Sequence, residues 1–219
     1  MALDANWTAL LRSSLDGAPA ERFGATTALI EHARSTALGR RMLALRLQDE
    51  SPQLFRLPAA ANDAAWISLH PAALFSGERL RGAALDLGAL AFSPALRARV
   101  ERSEVLRLRS VLGSARLAFA LGNDPWHGAL PDAVRHCAVS GLARSIHDAD
   151  ALLELVRQRG RIELYAHVAT LHPLLAERIR LAFAPMPAGE RRDAWLPPKA
   201  VARYLDAATQ SANSKEIGS

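Results

Sequence analysis

Four side chains in the middle of the chain have the chemistry of metal ligands. His127, His136, Cys137 and His147 could bind zinc through imidazole nitrogen and thiolate sulfur. Their spacings of nine, one and ten residues match no compact metal-binding motif, and neighbours such as His136 and Cys137 point in different directions on a helix. We therefore interpret the set as unrelated surface histidines and a core cysteine, and we expect neither a metal nor a cofactor.

Three carboxylates at a predicted helix start are the next candidates. Asp148, Asp150 and Glu154 could supply a pair for general acid–base catalysis. Acidic residues are expected there in any case, because they interact favourably with the positive end of the helix dipole. The sequence also lacks the glycine–lysine phosphate loop, the dinucleotide-binding glycine motif, the nucleophile-elbow serine and the paired-histidine zinc motif. We assign no catalytic residue and expect no enzymatic activity; a helical enzyme with an unrecognised site is kept as an alternative.

Residues 121–132 contain two glycines, two prolines and an asparagine, and this composition predicts a loop. Trp126 in this loop either packs beneath its own loop or anchors a protein interface, where tryptophan is enriched. We take Trp126 and its neighbour His127 as candidate protein-binding residues.

Basic residues are the other candidates for recognition. The chain has 27 basic and 22 acidic residues, and only Lys199 and Lys215 are lysines. Such a composition is typical of a GC-rich genome and assigns no function by itself. The densest basic run contains Arg97, Arg99, Arg102, Arg107, Arg109 and Arg116. It is either the solvated face of two helices or a docking surface for an acidic partner, since arginine binds carboxylates bidentately. We take Arg97 and Arg102 as candidate protein-binding residues.

Composition predicts the elements that position these side chains. The chain of 219 residues has 44 alanines and 35 leucines, which are strong helix formers, but only 14 valines and isoleucines together. We predict an all-α chain with at most a short strand at Trp66–Leu69. The single Cys137 excludes an internal disulfide. No secretory signal pattern and no apolar run near the ~18 residues of a membrane span are found, so we expect a cytoplasmic protein.

Residues 49–65, with two prolines and a run of small residues, are the clearest connector. We predict a single compact multi-helix domain over residues 66–209, preceded by an N-terminal helical segment, residues 1–48, that packs on or precedes it. Residues 210–219 are polar and are predicted to form a flexible tail.

Apolar spacing predicts the helices and the core. A helix after Pro19 has a stripe of Phe23, Leu29, Ile30, Leu38, Met42 and Leu45. Another begins near Ser103 and continues to Phe119, and a helix capped by Asp148 ends at Gly160, since glycine is typical of a helix C-terminus. His70-Pro71 is interpreted as a structural turn. The predicted core includes Leu108, Leu112, Phe119, Leu164, Val168 and Leu175.

Three segments carry a resemblance to a known family. WISLHPAALFSG, residues 66–77, resembles the aromatic–x–x–Leu–His–Pro–x–x–Leu motif of the SctK/YscK family of type III secretion sorting-platform accessory proteins. A helix and then a leucine–arginine helix ending in LGSARLAFALG, up to Gly122, follow in the same order. GRIELYAHVATLHPLLAERIRLAF, residues 160–183, is similar to the terminal helix pair of that family. The resemblance covers roughly residues 66–183, and the Hrp-type branch is the most similar.

The resemblance implies an all-helical, non-enzymatic adaptor in the cytosolic sorting platform. It implies two partners: the cytoplasmic domain of an SctD-like inner-membrane ring protein and an SctQ-like pod protein. The chain would then be cytoplasmic and peripheral to the inner membrane through a partner, without a small-molecule substrate. The alternative from the residues is a helical nucleic-acid-binding regulator that uses the net charge of +5. Scattered arginines disfavour it, because a recognition helix concentrates its contact residues.

Overall fold

The computed structural model describes residues 5–55, 67, 70–185 and 193–216. Its regular elements over these residues are helices without a β-strand, so the predicted all-α class is confirmed. The eleven α-helices of the described residues are α1 (Ala5–Gly17), α2 (Thr27–Ser35), α3 (Ala37–Gln48), α4 (Gly77–Ala91), α5 (Ser93–Arg97), α6 (Arg102–Leu112), α7 (Ser114–Gly122), α8 (Asp132–Ser145), α9 (Ala149–Leu171), α10 (Pro173–Leu181) and α11 (Pro198–Glu216). Short 3₁₀ helices cover Ala20–Phe23 and Pro71–Leu74.

The contacts group the chain into two compact units. Unit 1 comprises Met1–Arg81 and Val168–Arg191, and unit 2 comprises Gly82–His167 and Arg192–Ser219. Residues 1–48 thus share a unit with α10, and the predicted division into 1–48, 66–209 and 210–219 stays a prediction. Helix α11 continues to Glu216, so residues 210–216 of the predicted tail are helical.

The prediction of one helix after Pro19 with a buried apolar stripe is wrong on both points: the segment forms two helices, and most of the stripe is exposed. Thr36 separates α2 from α3, and its hydroxyl accepts a hydrogen bond from the Gly39 N–H at 3.0 Å, as a helix N-cap does. Of the predicted stripe only Ile30 is buried, and α3 buries Leu43 and Leu47 instead. The exposed members of the predicted stripe are Leu29, Leu38, Met42 and Leu45.

The start of the main predicted domain is only partly described. Pro71 begins a 3₁₀ helix, which agrees with the interpretation of His70-Pro71 as a turn. The backbone C=O of His70 accepts a hydrogen bond from the Ala73 N–H at 2.8 Å. In the predicted strand Trp66–Leu69, Ile67 is helical and buried, and the other three residues lie outside the described part.

The helix predicted to run from Ser103 to Phe119 is two helices. Gly113 adopts φ +82°, which favours glycine, and separates α6 from α7. Leu108 and Leu112 are buried as predicted, but Phe119 is only half-buried because the break changes the direction of the chain. The other predicted core residues, Leu164, Val168 and Leu175, are buried.

Gly160 does not end a helix, as the sequence predicted, but lies inside the 23-residue helix α9. A Cβ placed on Gly160 would lie 1.5 Å from the C=O oxygen of Ala84, and one placed on Gly88 would lie 1.9 Å from that of Val156. The backbones of α4 and α9 therefore touch within unit 2, at a distance that only glycine permits. The glycine serves packing rather than termination.

We predict that Gly160→Ala destabilises the protein by about 1–3 kcal/mol or more, because the new methyl group forces α4 and α9 apart. The matched control is Gly82→Ala in α4, where nothing lies within 4 Å of the added Cβ. That change should leave stability unchanged or raise it by about 0.5–1 kcal/mol through helix propensity. Urea unfolding of both variants measures the difference; equal stabilities would contradict the close crossing.

Buried arginines in unit 1 donate hydrogen bonds to backbone carbonyls. Arg22 Nε donates to the Phe183 C=O at 2.7 Å, and Arg22 Nη1 pairs with Glu50 at 2.5 Å. Arg178 is fully buried; its Nη2 donates to Ser13 Oγ and to the Phe75 C=O, both at 2.6 Å. Both acceptors of Arg178 are uncharged, and burial lowers the pKa of Arg178 to about 10. Its charge therefore opposes folding at neutral pH.

We predict that Arg178→Met leaves the free energy of unfolding at pH 7 unchanged or raises it by up to about 3 kcal/mol. This is about the equivalent of lowering the Arg178 pKa from its ordinary value to about 10, and an apolar side chain of similar volume removes the desolvation cost. Arg178→Ala should destabilise, because it leaves a cavity.

Denaturant unfolding at two pH values tests the cause. As the pH rises through about 10, the native guanidinium loses its proton before the unfolded one does, so wild type gains stability relative to Arg178→Met. A loss of several kcal/mol in Arg178→Met at pH 7 would show that the hydrogen bonds to Ser13 and Phe75 outweigh the burial of charge.

Candidate protein-docking site

The loop between α7 and α8, residues 123–131, is shaped by one carboxylate. Asp124 Oδ1 accepts from the Trp126 N–H at 3.1 Å, and Oδ2 accepts from the Gly128 N–H at 2.8 Å. His127 and Gly128 have φ of +51° and +84°, a left-handed turn that is uncommon for histidine. Two acceptor bonds from one side chain hold this turn in place.

The ionised form of Asp124 is the form that holds the loop. Burial of the carboxylate acts to raise its pKa, but the N–H groups of Gly128 and Trp126 and the charges of Arg97 and His127 together lower the pKa of Asp124 below its ordinary value. The loop is therefore built to be stable at neutral pH.

Trp126 is buried, with 7% of its surface exposed, so its use as an exposed anchor is wrong for this structure. Its Nε1–H donates to the Trp195 C=O at 3.1 Å, which satisfies the polar end of the indole. Of the two interpretations that the sequence left open, packing beneath the loop is the one observed. The indole fixes the loop to the segment that precedes α11.

The segment around Trp195 is itself tied to α9. Glu163, with no exposed side-chain surface, accepts from the N–H groups of Trp195 at 2.8 Å and Leu196 at 2.9 Å and pairs with Arg159 at 2.7 Å. The Arg159 guanidinium also lies 4.3 Å from the centroid of the Trp195 ring. Burial raises the pKa of Glu163, although Arg159 and the two N–H groups act to lower it.

These supports shape a cleft of about 400 Å³ in unit 2. Its lining residues come from the loop, α4, α7 and α11: Leu90, Phe119, Gly122, Asn123, Asp124, Pro125, His127, Ala200, Arg203, Tyr204 and Ala207. The Phe119 and Tyr204 rings lie 5.7 Å apart on its apolar side. On its rim the Arg203 guanidinium lies 3.2 Å from His127 Nε2. The cleft therefore combines an aromatic surface with an edge that carries the Arg203 guanidinium and the Asp124 carboxylate, the latter bonded to its own loop.

Tyr204 is fixed by a carboxylate of α4. Its hydroxyl donates to Asp86 Oδ2 at 2.6 Å, and Arg116 pairs with Asp86 Oδ1 at 2.6 Å. The phenol is thus held in one orientation, and a side chain fixed in this way has a lower entropic cost of forming a contact.

The structure brings three of the four predicted protein-binding residues to this loop. Arg97 Nη2 donates to the Asn123 C=O at 2.5 Å and to the Leu121 C=O at 3.2 Å, so Arg97 caps the end of α7. Trp126 lies beneath the loop and His127 on the cleft rim. Arg102 is exposed at the start of α6 and does not line the cleft.

The metal-ligand candidates are dispersed. His127 faces Arg203, His147 Nδ1 lies 3.3 Å from Arg107, and Cys137 is exposed rather than in the core, because α8 turns it toward solvent. Over the described residues no three His, Cys, Asp or Glu side chains are placed to hold a metal ion.

The acidic candidates have structural partners. Asp148 Oδ1 accepts from the N–H groups of Asp150 and Ala151 at 2.9 and 3.1 Å and so caps α9 as predicted. Glu154 pairs with Arg157 at 2.5 Å one turn further along the same helix. These contacts stabilise a helix and its start.

The sequence analysis assigned no role to Arg203, Tyr204 or Trp195. The only sequence signal for Trp195 was a tryptophan next to the Pro197-Pro198 helix start. Its connection to Trp126 spans 69 residues and is a tertiary contact that no local pattern encodes.

Comparison with known proteins identifies no relative: no family model, no curated protein and no solved structure matches the chain. In the described part of the chain, no helix combines the length and the hydropathy required to cross a bilayer.

We predict that the amide protons of Trp126 and Gly128 titrate together by NMR with a midpoint below 3.8, the ordinary pKa of Asp124. Because the folded-state pKa is lowered, the contribution of this carboxylate is complete above its unfolded pKa and is lost as pH falls through the folded value. In Asp124→Asn the same resonances should not titrate in this range. Independent midpoints for the two amides would contradict a shared acceptor.

Proposed function

We propose that the chain is a non-enzymatic adaptor of a bacterial type III secretion system. It acts in the cytoplasm at the inner membrane, where it connects the cytoplasmic domain of an SctD-like ring protein to an SctQ-like pod protein. The SctK/YscK-like segments within residues 66–183 support this identity for the partners. The all-α fold is the one that this resemblance implies.

The cleft beside the 123–131 loop is the observation that carries the proposal. Its aromatic side, Phe119 and Tyr204, accepts an apolar anchor, and the Arg203 guanidinium on its rim attracts a carboxylate. Hydrogen bonds to Asp86 and Asp124 preorganise both parts. A rigid surface with aromatic and arginine side chains is typical of the energetic centre of protein interfaces.

The Arg203 side of the rim also favours an acidic group on the partner. Exposed charges increase the rate of encounter, and salt screens them with a Debye length of about 8 Å at physiological ionic strength. Association should therefore slow as salt rises, whereas dissociation depends on the aromatic contact.

We expect Arg203→Glu and Ala207→Trp each to weaken binding of the full chain to the ring-protein domain or to the pod protein at least tenfold, about 1.4 kcal/mol. The first reverses the rim charge; the second fills the cleft from an exposed position of α11. Asp206→Trp is the matched control, since Asp206 is exposed on the same helix but does not line the cleft. Calorimetric titration with each purified partner measures the affinities.

Arg102→Glu tests the other predicted surface without disturbing a cap, unlike Arg97→Glu, which would also remove the donor to Asn123. If association slowed in Arg102→Glu but not in the cleft variants, the result would place the interface on α6 rather than at the cleft. Absence of binding to both partners, or salt-sensitive binding to bulk duplex DNA in their place, would contradict the adaptor function and favour the nucleic-acid-binding regulator.

A further inference from the structure

Helix α3 has two apolar faces, and only one of them is buried. Leu43 and Leu47 are buried, whereas Leu38, Met42 and Leu45 are exposed by 71%, 63% and 58%. With about 100° per residue, the three exposed side chains fall within an arc of about 60°, and the buried pair lies about 150° away. The exposed three therefore form a continuous stripe on the side of α3 opposite its core.

The α3 stripe (Leu38, Met42, Leu45) has the spacing of a helix surface that binds another helix. Single exposed leucines are ordinary on protein surfaces, but apolar residues at i, i+4 and i+7 are the pattern by which one helix docks on another. Methionine at the centre suits such a surface because its side chain adapts to the partner. The sequence analysis placed the same three residues on an apolar helical stripe, which is the pattern of a packed face.

Arginines flank the stripe. Arg41 and Arg46 are exposed and lie on its two sides by helical geometry, while Arg40 Nε donates to the Arg34 C=O at 2.5 Å. Residues 37–48 contain three arginines and no acidic residue, and the first acidic side chain is that of Asp49, just after the helix. Within α3 the stripe therefore has arginines on both sides and no carboxylate.

We propose that the α3 stripe docks an amphipathic helix of a partner protein whose apolar ridge is flanked by carboxylates. Glutamates on both sides of such a ridge would meet Arg41 and Arg46, and arginine forms bidentate hydrogen bonds with carboxylates. The stripe belongs to unit 1 and the cleft to unit 2, and the proposal does not depend on the type III function.

Charge and width distinguish this occupant from two others. A second copy of the chain would place arginines against arginines, which like-charge repulsion opposes. Helices that lie on membranes have a broad apolar face, usually with tryptophan or phenylalanine, whereas this stripe covers an arc of only about 60° and has no aromatic ring. A narrow ridge with cationic flanks fits a single acidic helix.

The test uses two fluorescein-labelled designed helical peptides with the same leucine ridge, one flanked by glutamates and one by lysines. Fluorescence anisotropy with the full chain should show binding of the glutamate peptide at least tenfold tighter than the lysine peptide. Leu38→Ser/Met42→Ser should weaken glutamate-peptide binding at least tenfold. Arg41→Glu/Arg46→Glu should invert the preference between the two peptides. These positions are exposed, so thermal melts should match wild type.

Val100→Ser/Leu106→Ser is the matched control, since it removes two exposed apolar side chains from elsewhere. It should leave peptide binding unchanged. Equal binding of both peptides, binding of neither, or no effect of the α3 variants would overturn the proposal.

Two further measurements identify the rival occupants. Sedimentation of the chain alone that shows a dimer, lost in Leu38→Ser/Met42→Ser, would assign the stripe to a second copy. Co-sedimentation with phosphatidylcholine vesicles only when they contain phosphatidylglycerol, lost in the same variant, would assign it to a lipid surface. Either result would overturn the acidic helix as the occupant. The adaptor function is tested independently, by the effect of the cleft variants of α11 on binding to the ring and pod proteins.

Discussion

The contact between the backbones of α4 and α9 is the constraint on which unit 2 depends. Gly88 and Gly160 let each helix approach the carbonyls of the other, which no larger residue permits. The two helices then supply the two supports of the cleft beside the 123–131 loop. Asp86 of α4 holds Tyr204, and Glu163 of α9 holds the segment of Trp195, on which Trp126 rests. A change in helix separation would therefore shift the aromatic side of the cleft relative to its loop.

Arginine provides much of the internal polar structure. Its planar, delocalised guanidinium has five N–H donors and is more weakly hydrated than an ammonium group, so it can be buried where lysine could not. Arg22 and Arg178 reach backbone carbonyls in unit 1, and Arg159 lies between a carboxylate and an indole in unit 2. The high arginine content is thus partly structural, and net charge alone overstates the basic surface that partners meet.

The fold class and most helix starts could be predicted from the sequence, because alanine, leucine, caps and prolines act locally. Whether a glycine ends a helix or permits two helices to pack closely could not be predicted. Gly113 and Gly160 each lie at the end of an apolar helical stretch, yet one breaks a helix and the other lies in the middle of one. The difference is whether another backbone lies against the residue, which is tertiary information. The same applies to the site: Arg97 and His127 were found by residue type, whereas Arg203 joined them only through the packing of α11.

An apolar sequence pattern does not reliably predict burial, as α3 and Trp126 show: the apolar stripe of α3 is exposed, whereas Trp126 of a loop is buried. Periodicity identifies residues that favour a packed environment but does not say whether this chain or another molecule provides it. The Trp126 side chain packs inside unit 2, and its indole N–H donates to the Trp195 C=O. The exposed apolar area of α3 consists of leucine and methionine beside arginines. In the proposed complex with an acidic helix, the flanking arginines would supply the selectivity, because they oppose a partner with cationic flanks, and the apolar side chains would supply the binding energy.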